Sequence, residues 1–272
     1  VFSSPDGISW IERTSVTSNS LNDVAYQKHE FYPNGLYYSV GESGTHIKSE
    51  NGISWDDPIQ GLSNNYNGIT FGNGEDYSKI VFVGDSGMIH HRTVHTAVVW
   101  STSNTTKNLY GTTYGNELYV AVGESGTILT STDGNTWTSR TSGTTNQLSG
   151  GAYWNMYYIV VGVNGTILTS SDGISWTSRT SGSSSNLNDV IYGNGLYISV
   201  GTSGTILTSS DGSLWTERTS GVTANLNGVT YGNELYIAVG SSGTIITSSD
   251  GTSWTERSSG TTNQLNAVTF SE

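Results

Sequence analysis

The sequence predicts an all-β fold, and three observations carry that prediction. First, tryptophan recurs at spacings of 45, 45, 37, 39, 39 and 39 residues, at Trp10, Trp55, Trp100, Trp137, Trp176, Trp215 and Trp254. Second, each interval holds four short runs rich in Val, Ile, Tyr and Thr, of strand length and without a helical period. Third, Asn-Gly and Asp-Gly pairs, which favour tight hairpins, separate many of these runs. Four antiparallel strands repeated about every 40 residues predict a β-propeller.

Seven tryptophan-terminated copies predict a seven-bladed propeller of four-stranded antiparallel blades, with six blades complete. The complete blades are expected near residues 21–60, 66–103, 109–141, 148–180, 187–219 and 226–258. The seventh is predicted to be split between the termini, with two outer strands from 1–15 and the innermost strand from 265–270. The two ends supply 28 residues against 39 in a standard copy, so this blade lacks one strand. We therefore expect 1–272 to be a single propeller domain and a fragment of a longer chain.

Composition excludes several functional classes. No apolar run approaches the ~18 residues that a membrane span needs, which predicts no membrane insertion. The chain has no cysteine, so disulfides and cysteine-based metal sites are excluded. Ten Lys and Arg stand against 22 Asp and Glu, and a formal net charge of −12 argues against a nucleic-acid partner. No pattern points to a cofactor.

The turn between the third and fourth runs carries a recurring motif. It reads S-[ST]-D-G-x-[ST]-W in 131–137, 170–176 and 248–254, and nearly so in 209–215. The motif resembles the Asp-box of sialidase-type (BNR) repeat propellers, with one residue fewer between Asp and Gly. The surrounding repeat is similar to that of photosystem II assembly-factor-like propellers of bacteria. The resemblance covers essentially the whole chain and implies the fold rather than a particular function.

The residues of this motif are expected to be structural. A carboxylate at a tight turn accepts hydrogen bonds from the backbone N–H groups of that turn, and the tryptophan buries a large ring between sheets. A catalytic carboxylate would not be copied in five blades. The predicted structural set is Asp6, Asp133, Asp172, Asp211 and Asp250 with Trp137, Trp176, Trp215 and Trp254.

The arginine pattern argues against the enzymatic reaction that the resemblance implies. Catalytic sialidases hold the substrate carboxylate with three arginines, a task that suits bidentate guanidinium groups. Five of the six arginines here follow a repeat tryptophan by three residues, which places each on the outer strand of its own blade: Arg13, Arg140, Arg179, Arg218 and Arg257. Arg92 alone departs from the repeat. We therefore predict a chain that is not an enzyme.

Candidate functional residues lie where the copies differ. Trp154 replaces a turn glycine and is followed by Asn155, which makes a possible stacking platform or a packing contact between blades. The loops between the second and third strands carry acids in three neighbouring copies, Glu42, Asp85 and Glu124, either as an acidic arc or for solubility. The innermost strands begin with Asn22, Asn67 and, in the third copy, Tyr110, which line the channel mouth or cap neighbouring strands.

A metal site is not predicted. The candidates are His90 and His95 in the second copy, where the Asp-box motif is lost. His90 and His91 are adjacent, and adjacent residues on a strand point to opposite faces. A shared metal is therefore awkward, and we expect a drifted surface turn with solvated imidazoles instead.

These observations predict a non-catalytic binding propeller, a lectin-like or adhesive module that recognises a glycan or a protein surface partner. One alternative is a protein-assembly scaffold, which the resemblance to photosystem II assembly factors implies. Another is an atypical glycoside hydrolase or lyase. Repeats rich in Ser, Thr, Asn and Gly, poor in Lys and free of Cys predict an extracytoplasmic bacterial setting.

Overall fold

A computed structural model describes residues 1–29, 32–56, 63–72, 79–93 and 98–271. In these ranges the secondary structure consists of strands and short 3-10 turns. The chain starts with a two-stranded sheet, β1 (Phe2–Ser3) and β2 (Ile11–Glu12). Blade 1 has β3 (Leu21–His29), β4 (Tyr32–Gly41) and β5 (His46–Ser49). Blade 2 has β6 (Tyr66–Gly72), β7 (Lys79–Gly84), β8 (Ile89–Thr93) and β9 (Val99–Trp100).

Blades 3 to 6 are four-stranded and closely alike. Blade 3 has β10 (Leu109–Gly115), β11 (Leu118–Gly123), β12 (Ile128–Ser131) and β13 (Thr138–Arg140). Blade 4 has β14 (Leu148–Trp154), β15 (Tyr157–Gly162), β16 (Ile167–Ser170) and β17 (Thr177–Arg179). Blade 5 has β18 (Leu187–Gly193), β19 (Leu196–Gly201), β20 (Ile206–Ser209) and β21 (Thr216–Arg218). Blade 6 has β22 (Leu226–Gly232), β23 (Leu235–Gly240), β24 (Ile245–Ser248) and β25 (Thr255–Arg257).

The all-β propeller with antiparallel blades is confirmed, but the number seven is wrong. Within the described ranges six blades form, five of them four-stranded and blade 1 three-stranded. The segment 265–270, predicted as an innermost strand, has no strand pairing. A strand requires a neighbouring strand to receive its hydrogen bonds, and no described strand lies in the second position beside it. Leu265 and Val268 nevertheless pack against blade 6, as does Trp10.

The innermost strands of successive blades lie side by side and are joined by asparagine side chains. The Nδ2 of Asn188 donates to the carbonyl of Leu226 at 2.7 Å, and that of Asn227 donates to Leu265 at 2.8 Å. The Nδ2 of Asn266 donates to the carbonyl of Leu21 at 2.7 Å, which connects the segment 265–270 to blade 1. The same type of bond therefore links blades along the chain and across its two ends.

The core lies between neighbouring blades rather than within each sheet. The four interfaces between blades 2 and 6 each contain three aliphatic residues at equivalent positions. The first blade of each pair supplies the first residue of its third strand. The second blade supplies the first residue of its innermost strand and the second residue of its third strand. Between blades 3 and 4 these are Ile128, Leu148 and Leu168, all at most 1% exposed. Burial of apolar side chains at about 25 cal/mol per Å² makes these contacts the main stabilisation of the ring.

The carboxylates of the outer turns accept hydrogen bonds from the backbone of their own turns. In blade 4 the Oδ1 of Asp172 accepts hydrogen bonds from the backbone N–H groups of Ile174 and Ser175, both at 2.8 Å. These bonds hold the pKa of Asp172 at about 2. The Nε1 of Trp176 donates to Gly173 at 3.1 Å, and its ring packs with the core between blades 3 and 4. Trp100 in blade 2 departs from the prediction of a core tryptophan, because it is 65% exposed where the turn motif is lost.

Candidate functional site

Trp154 stands at a position where the neighbouring blades have glycine for a steric reason. A Cβ atom on Gly115 would lie 2.0 Å from the ring of Tyr153, and one on Gly193 would lie 2.3 Å from the ring of Tyr231. The tyrosine ring of the following blade therefore packs directly on the glycine. Trp154 blocks that position for Tyr192, whose ring instead stacks on the indole at 4.8 Å with an interplanar angle of 13°.

This stack forms one wall of a groove between blades 4 and 5, of about 350 Å³. We call it the Trp154 groove. Its lining comes from the first hairpin of blade 4, from the blade 4 strands that face blade 5, and from the inner strands and outer turn of blade 5. The lining residues are Trp154, Asn155, Tyr157, Ile159, Thr169, Arg179, Tyr192, Tyr197, Ser210, Asp211 and Ser213.

The backbone at the mouth of the groove is held in place by a tight turn and a tyrosine. Asn155 and Met156 have φ of 47° and 67°, the left-handed pair of a two-residue hairpin. The hydroxyl of Tyr197 donates to the carbonyl of Trp154 at 3.1 Å. Burial raises the pKa of Tyr197 to about 12, so this hydroxyl stays a neutral donor. The indole of Trp154 is thus presented by a fixed backbone.

Apolar side chains continue from the groove onto the surface. Trp154 is 51% exposed, and beside it Met156 is 70% and Tyr157 45% exposed. Leu214, next to the groove residue Ser213, is 79% exposed. Large apolar side chains grouped at a groove mouth are typical of an interaction site rather than of an ordinary protein surface.

Two charged groups give the groove polarity. The Nε of Arg179 donates to the Oγ1 of Thr169 at 2.9 Å, which fixes the guanidinium on the blade 4 side. On the blade 5 side, the Oδ1 of Asp211 accepts hydrogen bonds from the N–H groups of Leu214 at 3.0 Å and Ser213 at 2.8 Å. These bonds lower the pKa of Asp211, so its carboxylate is ionised at neutral pH.

The other predicted site residues lie elsewhere. Trp154 and Asn155 are brought together in the groove, whereas the acids lie at the opposite ends of the blades, in the turns between second and third strands. The Oε2 of Glu42 accepts from the N–H of Ser20 at 3.3 Å. The Oε2 of Glu124 accepts from that of Asn108 at 3.4 Å. These contacts tie local backbone together, and a ligand role for either acid stays a prediction.

The predicted residues at the start of the innermost strands join neighbouring blades. The Nδ2 of Asn22 donates to the carbonyl of Tyr66 at 2.8 Å, and that of Asn67 donates to Leu109 at 3.0 Å. Asn67 also donates to the Oδ1 of Asp85 at 2.9 Å, the one case in which two predicted residues from this end meet. Tyr110 occupies the equivalent position in blade 3 and is half-buried. Ligand binding by these residues stays a prediction.

The described histidines are not arranged as a shared metal site would require. His90 is 1% exposed, and its Nδ1 is hydrogen-bonded to the hydroxyl of Tyr66. His91 turns the other way and shares a hydrogen bond of 2.8 Å with the Oγ of Ser101. His95 lies outside the described residues. In the described part of the chain, no group of three or more His, Cys, Asp or Glu side chains could hold a metal ion.

Sequence reasoning missed that His90 meets His46 and Tyr66 at the interface of blades 1 and 2. The ring of Tyr66 lies 6.3 Å from that of His46 and 5.5 Å from that of His90. These three residues occupy the positions that hold three aliphatic residues at the following interfaces. The sequence does show His46, Tyr66 and His90 at repeat positions that are aliphatic in later copies. The cluster is recognised only when the residues of two neighbouring blades are compared together.

A second feature that sequence reasoning missed is a pair of carboxyl groups near the axis. Asp23 and Asp189 take the third position of their innermost strands, where the other copies have Gly68, Gly111, Gly150, Gly228 and Ala267. The Oδ2 of Asp23 accepts from the N–H of Ile69 at 2.9 Å, and that of Asp189 accepts from Val229 at 3.0 Å. Each carboxyl thus joins two blades.

The arginines do not form a sialidase-type cluster in the described ranges. Each repeat arginine is bound to a hydroxyl of its own blade, as in the bond of 2.8 Å from Arg140 Nε to Thr130 Oγ1 and that of 2.9 Å from Arg257 Nε to Thr247 Oγ1. Arg92 donates instead to the carbonyl of Thr93 and lies over the ring of Tyr38. In the same described ranges, no helix is long and apolar enough to cross a membrane.

Comparison with known proteins supports the fold. No family model and no curated protein matches the chain. A solved structure described as YCF48 bound to D1 peptide is similar, with a TM-score of 0.66 and 14% identity over 89% of this chain and 82% of that one. YCF48 from Cyanidioschyzon merolae is similar with a TM-score of 0.67 and 15% identity over 92% of this chain and 88% of that one. Likeness at this level of identity shows a shared β-propeller fold.

Proposed function

We propose that this chain is a non-catalytic, protein-binding propeller that holds an extended segment of a partner polypeptide in the Trp154 groove. The observation that carries the proposal is the replacement of a packing glycine by Trp154. In the neighbouring blades, glycine at this position lets the next tyrosine pack directly on the backbone, whereas Trp154 stacks on Tyr192 and leaves its indole half-exposed. The replacement instead creates a groove with an aromatic wall, the kind of anchor that protein interfaces favour.

The groove has the chemistry that an extended peptide requires. Trp154, Tyr157 and Leu214 offer apolar surface for one or two side chains. The remaining guanidinium N–H groups of Arg179 and the amide of Asn155 are donors for peptide carbonyl oxygens. A volume of about 350 Å³ lies within the range of ordinary ligand pockets.

The comparisons favour a protein partner over a glycan, the two kinds of partner that our main sequence-based prediction allowed. One similar structure is that of YCF48 with a bound D1 peptide, so a propeller of this fold can accept a peptide. This supports the scaffold alternative. Glycan recognition is the second candidate, because an exposed indole beside an amide also suits the face of a sugar ring. An extracytoplasmic setting remains a prediction from composition.

A peptide-display selection tests the proposal. A random library is panned against the immobilised wild-type chain and, in parallel, against Trp154→Gly, which restores the residue of the other blades. We expect peptides that are enriched on the wild-type chain and lost on Trp154→Gly. The control is Ile174→Ser, which removes an apolar side chain that is 49% exposed but lies outside the groove and should leave the selection unchanged.

Two results would overturn the proposal. One is a selection that yields no peptide; ligands on a glycan array that Trp154→Gly abolishes would then favour the lectin-like function. The other is enrichment of the same peptides by wild-type and Trp154→Gly chains of equal thermal stability, which would place peptide binding elsewhere on the propeller.

A further inference from the structure

We infer that the partner segment is basic and that it anchors an arginine side chain against Trp154 and Asp211. This inference rests on the proposed peptide-binding function and specifies the chemistry of the partner. It follows from the charge of the surface around the groove, the exposed indole, and the arrangement of the two charged residues in the lining.

The end of the propeller that carries the groove is anionic. Strands alternate in direction, so in blades 3 to 6 the first hairpin and the outer turn lie at the same end. Five outer turns carry a carboxylate, Asp6, Asp133, Asp172, Asp211 and Asp250. Their backbone hydrogen bonds lower the pKa of each one, and Glu117 and Glu234 add exposed carboxylates on the hairpins. A surface of this sign attracts basic segments and repels acidic ones.

Trp154 offers the best surface for a cation in the groove. Indole is the aromatic group that binds cations most strongly over its face, and arginine is the more frequent partner. The stack with Tyr192 fixes the indole in one orientation while half of the side chain stays exposed. A guanidinium group can therefore lie flat on the indole without a rearrangement of the hairpin.

Asp211 provides a carboxylate in the lining of the same groove. Its Oδ1 accepts both backbone hydrogen bonds of the turn and one from the hydroxyl of Ser209. Its Oδ2 accepts none from the residues that the structure describes, and the side chain is exposed. A guanidinium group on Trp154 can donate to this oxygen, and charge-assisted bonds of this kind are roughly twice as strong as neutral ones.

Unlike Asp211, which lines the groove from blade 5, Arg179 lines it from blade 4, as Trp154 does. Its Nε is bound to Thr169, so the guanidinium is directed by blade 4 and remains available to peptide carbonyl oxygens. The partner's backbone would then face Arg179 and its basic side chain would face Asp211. A glutamate in the partner would meet Asp211 and the anionic surface, and it is disfavoured on both counts.

The test uses peptides from the display selection, synthesised with each arginine kept or replaced by glutamine or lysine and measured by fluorescence anisotropy. We expect replacement of the anchoring arginine by glutamine to weaken binding about tenfold, and by lysine about threefold. Asp211→Asn should weaken the arginine peptide about tenfold and leave the glutamine peptide unchanged. Asp172→Asn makes the same change in the turn of blade 4, outside the groove, and should weaken the arginine peptide much less than Asp211→Asn does.

Two outcomes overturn the inference and leave peptide binding intact. One is a selection without arginine among the peptides that depend on Trp154. The other is an arginine peptide that binds Asp211→Asn as tightly as it binds the wild-type chain. Failure to select any peptide would instead remove the proposed function on which the inference rests, so the two failures are distinguishable.

Discussion

At the outer turn of blade 1, Asn51 stands where five other turns have aspartate, and it makes the same contacts. Its Oδ1 accepts from the N–H groups of Ile53 and Ser54, both at 2.8 Å. Asp172 makes the equivalent bonds to Ile174 and Ser175 at 2.8 Å. The turn therefore requires an oxygen acceptor at this position rather than a negative charge.

This comparison predicts how substitutions of Asp172 affect stability. Asp172→Ala removes the acceptor of two backbone hydrogen bonds and of one from the Ser170 hydroxyl, and it should lower the free energy of unfolding by about 1 kcal/mol, the usual cost of such a local acceptor at an exposed site. Asp172→Asn should stay within about 0.5 kcal/mol of the wild type, since an amide oxygen accepts the same bonds. Urea denaturation measures both. Equal destabilisation by the two substitutions would show that the charge itself is needed.

Trp154 shows what a single residue reveals before a structure is known. The break in the repeat identified it and its neighbour Asn155 as candidates. The groove itself did not follow from the sequence, because it depends on where the ring of Tyr192 in the next blade goes. Arg179 and Asp211 were set aside as repeat residues, since nothing in their own copies distinguishes them. They differ from their counterparts in other blades only because they line the same groove as Trp154.

At the scale of elements, the interface between blades 1 and 2 differs from the others. It replaces three aliphatic residues with His46, Tyr66 and His90. Both ring nitrogens of His46 and the Nε2 of His90 make no hydrogen bond within the described chain. Burial lowers the pKa of both histidines to about 4, with Arg92 adding to the effect on His46 and His46 to that on His90. The interface therefore holds two neutral imidazoles at pH 7.

These histidines predict a loss of stability in acid. Below pH 6.5 the unfolded chain binds protons at both histidines, while the folded chain does not until about pH 4. Their contribution to stability is thus full above pH 6.5 and decreases as the pH falls toward 4. At pH 5 the loss should be about 2 kcal/mol for each histidine. Urea denaturation between pH 4.5 and 7.5 measures it.

The control restores the aliphatic pattern with His46→Ile, Tyr66→Leu and His90→Leu together. Other groups titrate in the same range, so the comparison is between the wild-type and triple-variant profiles. We expect their stabilities to diverge as the pH falls from 6.5, with the variant the more stable chain. Parallel profiles would contradict the assignment of the acid sensitivity to this interface.

At the scale of the whole molecule, the repeat predicts most of the architecture because each copy meets its neighbours through the same residues. For example, the innermost strands of blades 4, 5 and 6 each begin with a leucine in the sequence, and all three leucines are fully buried in the structure: Leu148, Leu187 and Leu226. The blade number was overestimated because it was taken from the number of repeat tryptophans. A tryptophan marks a copy of the repeat but does not show whether all four strands of that copy are present. Strand pairing is a property of neighbours, and a single segment such as 265–270 cannot supply it.

Asp23 in blade 1 and Asp189 in blade 5 affect each other electrostatically. Burial raises the pKa of Asp23 to about 7, and the carboxyl of Asp189 adds repulsion across the axis to that effect. Burial likewise raises the pKa of Asp189 to about 6. Both folded values lie above the ordinary value of 3.8. The stability contribution of these groups is therefore full below about pH 3.8, decreases as the pH rises above that value and is lost once the pH passes 6 to 7, opposite in sign to that of the histidines.

This coupling predicts that a substitution in blade 5 changes a proton equilibrium in blade 1. Asp189→Asn keeps an oxygen for the N–H of Val229 and removes the negative charge, so the pKa of Asp23 should fall. Carboxyl carbon shifts of Asp23, followed by NMR from pH 4 to 9, measure the change. Asp250→Asn removes one charge from an outer turn away from the axis and should leave the pKa of Asp23 where it was. Because Asp23 and Asp189 belong to different blades, an unchanged pKa in Asp189→Asn would mean that the carboxyls do not face each other across a closed ring.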